Sequence, residues 1–173
     1  QGEDMASKSG PDIIEDGLVL CLDAASKRSY PGTGTTWTDL KGGVAGTLNN
    51  GPVFNTDNGG SLAFDGGDDS ADWTLGTSAI DSQSTGITMS INIKTSESSG
   101  TQVLFAYSKP STNNGYRMQF YGDSLRLTFG GVADYNTGVS QSSLANGQWK
   151  QITFSIDGSS AKCYIGSLEE ASI

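Results

Sequence analysis

Short runs in which apolar and polar residues alternate follow one another along this chain, and glycine-rich turns separate them. Met89, Ile91 and Ile93 alternate with polar residues, so they predict a strand with one buried face and one solvated face. The same spacing predicts further strands at residues 103–107, 116–121 and 125–129. Because no long stretch repeats at the helical period, the chain is predicted to be all-β.

Two hairpins are predicted where such runs flank a short turn. Gly122 and Asp123 form the first turn, and Asp157 and Gly158 form the second. The apolar positions around the second turn recur at every second residue: Ile152, Phe154, Ile156, Ala161, Cys163 and Ile165. Strands that recur about every 8 to 12 residues predict an antiparallel two-sheet jelly-roll sandwich.

Glycine turns divide the first part of the chain into shorter apolar runs. Leu18, Leu20 and Leu22 predict a strand that is apolar on both faces and therefore lies deep in a sheet. Leu62 and Phe64 predict another strand, on one face of which both side chains lie. An acidic, glycine-rich turn ends that strand.

Composition and charge set limits on the partners. The chain of 173 residues has 24 glycines, and its 10 Lys and Arg residues face 19 Asp and Glu residues, which gives a formal net charge of −9. Nucleic-acid binding depends on Lys and Arg that displace counterions from phosphates, so no nucleic acid is predicted as a partner. No membrane insertion is predicted, because no run approaches the roughly 20 apolar residues that span a bilayer.

The chain length fits one domain with its own hydrophobic core. The first residues are mostly small and polar, so residues 1–15 are predicted to be a flexible N-terminal arm. Residues 16–173 are predicted to form a single β-sandwich domain. No charged-then-apolar leader precedes a cleavage site, so no secretion signal is predicted.

Histidine is absent and cysteine is rare, which removes several kinds of chemistry. Without histidine, the chain has no Ser-His-Asp or Cys-His catalysis and no imidazole metal site. Cys21 and Cys163 lie in apolar runs near opposite ends of the sequence. Buried free thiols are the favoured interpretation, and a disulfide between first and last strands is the alternative.

Five short motifs, taken in order, resemble a known family. They lie at Gly17–Ala25, Trp37–Leu40, Gly46–Pro52, Phe64–Asp69 and Gly147–Gly158. Together they resemble the concanavalin A-like lectin/glucanase superfamily, and within it the laminin-G-type domains of bacteriophage and bacterial surface proteins. The resemblance covers most of residues 16–166 and implies a concanavalin A-like sandwich.

The resemblance also implies a role. It points to a structural or decoration component of a bacteriophage virion, located on the virion surface and able to adhere to cell-surface glycans. The implied partners are other virion or surface-assembly proteins and polysaccharide, and the oligomeric state is left open. The alternative is a carbohydrate-binding module of a bacterial surface protein, outside the cell, with calcium as an optional cofactor.

The chain departs from the family's pattern at its carboxyl end. Family members usually continue past the strand at Lys162–Ile165 with further strands, whereas only Ser167–Ile173 follow here. We therefore expect that the sandwich lacks its last strands, or that a partner supplies the missing edge.

Sugar recognition combines aromatic platforms with polar side chains that fix the orientation of the ligand. Tyr116 alternates with Met118 and Phe120 and is therefore predicted to be a core residue. The candidate glycan-binding residues are Tyr121, Tyr135, Arg117, Asn92, Asn113 and Asn114.

Asp65, Asp68 and Asp69 are weak candidates for a calcium site, because three carboxylates fall within one turn. No EF-hand pattern surrounds them. The favoured interpretation is that Asp65 and Asp69 cap the turn through hydrogen bonds to its backbone.

Glycoside hydrolysis is the enzymatic alternative, and it needs two carboxylates about 5 to 10 Å apart. Retaining glucanases of this superfamily carry alternating acids on one strand. In this chain Glu97 is isolated, and Glu169 and Glu170 are adjacent, so they point to opposite faces of a strand. We therefore expect a non-enzymatic protein.

Overall fold

Thirteen strands, one short α-helix and one 3-10 turn are found in the described part of the chain, and every strand pairing is antiparallel. The computed structural model describes residues 14–75, 86–109, 114–129, 133–157 and 160–172. The chain forms two compact units, Gln1–Gly76 and Thr77–Ile173. The single domain over residues 16–173 stays a prediction. The predicted arm lies outside the described residues except for its last two.

In the first unit, residues 14–75 are described, and they form five short strands and a 3-10 turn at Asp57–Gly59. β2 is the central strand of a three-stranded sheet with β1 and β5, and β3 pairs with β4. The strands are β1 (Thr36–Thr38), β2 (Ala45–Asn49), β3 (Val53–Asn55), β4 (Ser61–Ala63) and β5 (Ser70–Asp72). The predicted strand that contains Leu62 is confirmed as β4, but it ends before Phe64, whose side chain is 45% exposed.

Two tryptophans pack together in the first unit. The rings of Trp37 and Trp73 meet edge to face with their centroids 5.3 Å apart. Trp73 Nε1 donates a hydrogen bond of 2.8 Å to the Trp37 carbonyl oxygen. Gly46 lies in β2 because a Cβ atom there would overlap the Trp73 indole. A close side-chain approach therefore accounts for a glycine in the middle of a strand.

The prediction of a deep strand at Leu18–Leu22 is wrong. These residues are only half-buried and belong to no strand. A side chain takes the place of the missing strand partner: Asp39 Oδ1 accepts a hydrogen bond of 2.8 Å from the Cys21 amide, and the Leu40 amide donates to the Cys21 carbonyl. The alternation of leucines therefore marks a segment held by a buried carboxylate rather than a sheet strand.

The second unit is a sandwich of two four-stranded sheets. One sheet has the order β10-β9-β8-β7, and the other has the order β13-β12-β11-β6. The elements are β6 (Ile87–Ile93), β7 (Gln102–Lys109), β8 (Asn114–Tyr121), β9 (Ser124–Phe129), β10 (Ala133–Ser140), α1 (Gln141–Leu144), β11 (Lys150–Asp157), β12 (Ser160–Ile165) and β13 (Leu168–Ser172). The edge strands β10 and β13 contact each other across the two sheets.

The core of this sandwich comes from the inward side chains of both sheets. Every second residue of a strand points to the same face, so strict alternation buries one row per strand. Seven of these side chains have no exposed surface: Met118, Phe120, Leu125, Leu127, Ile152, Phe154 and Cys163. The predicted all-β, concanavalin A-like architecture is confirmed.

Both predicted hairpins are confirmed. β8 and β9 are joined by Gly122 and Asp123, whose φ angles are 57° and 63°. Two successive residues with positive φ form the turn that matches the twist of paired strands. β11 and β12 form the second hairpin, in which Phe154 faces Cys163. The second hairpin's Gly158 lies outside the described residues.

Three elements of the second unit were not predicted from the sequence: β10, α1 and β13. The helix α1 begins after Ser140, whose side chain accepts a hydrogen bond from the Ser143 amide. Gln141 is fully buried, and its Nε2 donates to the carbonyl oxygens of Glu97 and Ser99, which fastens the segment after β6. The residues after Gly166 form β13, which pairs with β12.

In the residues that the structure describes, no helix is both long enough and apolar enough to span a bilayer.

Candidate functional site

The outer face of the sheet β10-β9-β8-β7 carries the largest polar side chains of the second unit's strands. Along β8, Met118 and Phe120 point into the core, so Arg117, Gln119 and Tyr121 point outward. The partner strand β9 contributes outward residues by the same alternation. We call this surface the arginine face and define it by Arg117, Gln119, Tyr121, Arg126, Thr128 and Asp134.

Strand register places these six side chains in adjacent rows. Arg117 lies opposite Thr128, and Thr128 lies opposite Asp134 in the next strand. Gln119 lies opposite Arg126 in the neighbouring row. Directly opposed and diagonal neighbours on one face of a sheet are within reach of long side chains. The hairpin and its register therefore assemble the face from residues that are 17 positions or fewer apart in sequence.

Arg126 is held by two neighbours. The centre of its guanidinium group lies 4.5 Å from the centroid of the Tyr121 ring, a cation–π contact. Its Nη1 atom lies 3.4 Å from Asp134 Oδ2. The Nε atom of Arg126 is buried and has no hydrogen-bond partner among the described residues. The guanidinium group and the ring therefore hold each other in position. Tyr121 nevertheless remains 49% exposed.

Arg117 lies in a more open environment. Its side chain is exposed, and its neighbours in the row are the small residues Ala106 and Thr128. It makes no hydrogen bond or ion pair with the parts of the chain that the structure describes. Gln119, two residues further along β8, is only 6% exposed and donates a long hydrogen bond of 3.4 Å to Thr128 Oγ1.

The arginine face combines three properties of a shallow polar binding site. Tyr121 offers an exposed ring, Arg117 offers planar donors, and Asp134 offers a carboxylate acceptor. Aromatic contact area with a few well-placed polar groups is the usual composition of sites that bind polar organic ligands.

The structure brings two of the sequence-predicted site residues together and separates the others. Tyr121 and Arg117 share the arginine face. Tyr135 lies opposite Leu127 in the inward row, and its ring meets Phe129 edge to face at 5.6 Å. Asn114 begins β8 opposite Lys109, and Asn113 lies outside the described residues.

Asn92 lies on the outer face of the other sheet. We call that surface the hydroxyl face, defined by Thr88, Ser90, Thr153 and Ser155. These side chains pair with one another across β6 and β11: Ser90 Oγ lies 2.9 Å from Thr153 Oγ1, and Thr88 Oγ1 lies 3.3 Å from Ser155 Oγ. Asn92 lies opposite Gln151 at the end of this row.

The prediction that Tyr116 is a core residue is confirmed. It is 3% exposed, and its ring meets that of Phe129 edge to face at 5.2 Å. Sequence reasoning missed Gln119, Arg126 and Asp134 as site residues. The alternation of Ser124, Arg126 and Thr128 with apolar residues was a usable signal, because it placed Arg126 outward next to Tyr121 once the hairpin turn was recognised.

The acidic turn of the first unit has the hydrogen bonds that a structural role predicts. Asp69 Oδ2 accepts a hydrogen bond of 2.9 Å from the Asp65 amide, and Asp65 Oδ1 accepts one of 2.7 Å from the Gly67 amide. Asp65, Asp68 and Asp69 each place a carboxylate oxygen within 4.8 Å of the others. Among the residues that the structure describes, these three could hold a cation, and calcium binding stays a prediction. The capping role of Asp65 and Asp69 is confirmed.

Both cysteines are free thiols, as predicted, but only Cys163 is buried, whereas Cys21 is half-buried. Burial raises the pKa of Cys163 to about 12, with a further contribution from Glu170. Burial also raises the pKa of Cys21, which the charges of Asp39 and Asp23 raise further. Neither thiol is therefore a reactive nucleophile at neutral pH.

A family model agrees with this fold. The laminin-G-type model described as "Concanavalin A-like lectin/glucanases superfamily" matches residues 65–172. The chain therefore belongs to the concanavalin A-like lectin/glucanase superfamily. No curated protein sequence matches the chain.

A solved structure is similar to this chain as well. It is domain 4 of AbnA, a GH43 extracellular arabinanase from Geobacillus stearothermophilus, in complex with arabinotriose. The sequence identity is 18% and the TM-score is 0.56, over 78% of this chain and 68% of that one. At this identity the similarity concerns the fold.

Proposed function

We propose that this domain is a non-enzymatic carbohydrate-binding module and that the arginine face is its binding site. The observation that carries the proposal is the stack of Tyr121 and Arg126, with 4.5 Å between the guanidinium and the ring, on an outward sheet face. An exposed ring held rigidly by a neighbour provides contact area for a sugar at little entropic cost. Arg117, Thr128 and Asp134 supply the donors and acceptors around it.

The fold supports this role by analogy. Domain 4 of AbnA, a sandwich of similar fold, is observed with arabinotriose bound. A sandwich of this class therefore accommodates an oligosaccharide in at least one protein. Fold alone does not determine function, so the argument for this chain depends on the residues of the arginine face.

The non-enzymatic part of the proposal depends on the carboxylates. Glycosidases need one carboxyl group as acid and a second, about 5 to 10 Å away, as nucleophile or base. On the described strands of the arginine face, Asp134 is the single carboxylate, and Arg126 lies 3.4 Å from it. We expect no release of reducing sugar from any polysaccharide that binds.

Glycan-array screening followed by calorimetry with the whole chain tests the proposal. The Tyr121→Ala variant is expected to bind the best glycan at least about tenfold more weakly, a loss of about 1.4 kcal/mol. Tyr164→Ala is the matched control, because Tyr164 lies on the outer face of the other sheet. Equal affinity of both variants, or no binding of any glycan by the unmodified protein, contradicts the proposal. Repeating the titration with calcium and with a chelator tests the calcium-dependent alternative.

The location on a virion surface is part of the proposal and is supported by the resemblance of the sequence motifs. The bacterial cell surface is the alternative location, and adhesion to polysaccharide fits either one. Cryo-microscopy of the parent particle is expected to show ordered copies of the sandwich with the arginine face open to solvent. Particles without this chain, or with the face covered by a neighbouring subunit, contradict the location or the binding role.

A further inference from the structure

We propose that the arginine face selects an anionic, carboxylate-bearing polysaccharide. This inference rests on the proposed carbohydrate-binding function of the same face and adds the chemical class of the ligand. The chain as a whole has a formal net charge of −9, which disfavours anionic ligands in general. A local concentration of arginine on one sheet face therefore requires a specific explanation.

Arginine is rare in this chain and concentrated at one place. Of the three arginines in the sequence, Arg28, Arg117 and Arg126, the last two lie on the arginine face. Asp134 is the single acidic residue on the described strands of that face, so the face is locally cationic. On the outer face of the other sheet, the cation Lys162 is instead matched by Glu169, 3.1 Å away.

The two arginines have different surroundings and therefore different roles. Tyr121 and Asp134 both engage Arg126, which is thus the support of the aromatic platform. Arg117 has Ala106 on one side and Thr128 on the other, and neither side chain is long enough to cover its guanidinium group. Arg117 is therefore the group that a ligand can reach.

A guanidinium group recognises planar carboxylates through two parallel hydrogen bonds. Neutral sugars offer hydroxyl groups, for which a long, exposed arginine has no comparable geometric preference. Arg117 and Tyr121 are four residues apart on β8, which corresponds to about 13 Å at the usual rise of a strand. A ligand that contacts both is an oligosaccharide, with a sugar ring on Tyr121 and a carboxylate at Arg117.

The experiment compares two ligands that share a backbone and differ in charge. Calorimetry with the whole chain is carried out with oligogalacturonate and with its methyl ester. The acid is expected to bind at least about tenfold more tightly, and its affinity is expected to fall as salt rises from about 0.05 M to about 0.5 M, because salt screens exposed charges. A sulfated neutral-backbone oligosaccharide of equal charge serves as a third ligand and is expected to bind more weakly than the carboxylate.

Single-residue variants test whether the preference for the acid depends on the arginine face. Arg117→Gln is expected to lose about tenfold in affinity for the acid and to keep the affinity for the ester, whereas Arg117→Lys recovers only part of the loss. Lys162→Gln removes the same charge from the other sheet and is expected to change neither affinity. Unchanged thermal unfolding of Arg117→Gln shows that the loss is local.

The possible failures are distinguishable. If the ester or another neutral glycan binds as tightly as the acid, or if the sulfated ligand binds more tightly, the carboxylate inference is overturned and carbohydrate binding stands. If Arg117→Gln and Lys162→Gln lose affinity for the acid equally, the assignment to the arginine face is overturned. If no glycan of any charge binds, the proposed function itself fails.

Discussion

The two sheets of the second unit are built by the same alternation, yet their outer faces differ in chemistry. The hydroxyl face carries short side chains that satisfy one another, as in the pair of Ser90 and Thr153 at 2.9 Å. The arginine face carries long, planar side chains, and Arg117 makes no hydrogen bond or ion pair with the residues that the structure describes. Both faces sit above one core, to which Phe120 and Phe154 contribute from opposite sheets.

Exposure and polarity alone therefore do not make a binding surface. A row of paired hydroxyl groups has its hydrogen bonds already formed, and a ligand that displaces them gains little. A ring and a guanidinium that orient each other present both contact area and donors without further ordering.

Truncating one core side chain below either face is expected to cause the largest loss of stability. Phe120→Ala and Phe154→Ala each delete a fully buried ring, and each is expected to lower the free energy of unfolding by about 3 to 5 kcal/mol. Urea unfolding followed by tryptophan fluorescence and circular dichroism measures the loss. If one of the two variants loses less than about 1 kcal/mol, the two sheets do not depend equally on the shared core.

The buried thiol of Cys163 lies below the hydroxyl face. It is expected to lower the free energy of unfolding at alkaline pH. Because burial raises the pKa of Cys163 to about 12, the folded protein keeps this proton where the unfolded chain loses it near the ordinary value of 9.0. The stabilisation is complete below pH 9.0 and is lost as the pH rises towards about 12, by up to about 1.4 kcal/mol per pH unit.

Urea unfolding at about pH 8 and about pH 10 measures this loss. Cys163→Ala is expected to be less stable at both pH values but to lose less stability between them. All other side chains are the same in the two proteins, so the comparison isolates the contribution of the Cys163 thiol. Equal losses in the two proteins would show that the thiol is not protected by burial.

Removing the carboxylate that pairs with Arg126 is expected to change the glycan affinity more than the free energy of unfolding. Asp134→Asn removes a partly exposed ion pair, so the free energy of unfolding is expected to change by less than about 1 kcal/mol. The loss of the negative charge is expected to raise the affinity for an anionic glycan by about twofold to fivefold. Asp157→Asn, at the end of β11, is the matched control. Weaker binding by Asp134→Asn would show that the ligand needs a carboxylate acceptor there.

Breaking a hydroxyl pair is expected to have the smallest effect. Ser90→Ala removes the partner of Thr153 on an exposed face, so the free energy of unfolding is expected to fall by no more than about 1 kcal/mol. Glycan affinity, measured by calorimetry, is expected to stay unchanged. A loss of binding in this variant would move the site to the hydroxyl face, where Asn92 lies.

The elements that the sequence predicted correctly are those in which local pattern and burial agree. β6, β8, β9, β11 and β12 alternate strictly, and two of their turns carry the residues that tight hairpins need. The continuous apolar run at Leu18–Leu22 is an equally clear strand pattern, yet a buried side chain, Asp39, replaces the strand partner. Local pattern cannot distinguish a strand from a segment whose backbone is held by a side chain, because the same run of apolar residues can occur in both.

The residues of the candidate site also divide into those that the local pattern identified and those that it did not. Tyr121 and Arg117 were recognisable as outward residues from one strand, while Tyr135 was chosen for its residue type and lies in the inward row against Phe129. The sequence by itself determined the all-β class, the family and the alternation that buries one face of each strand, because these depend on neighbours in the chain. Only the tertiary structure decided that Arg126 stacks on Tyr121 and reaches Asp134, because that stack depends on the register between strands.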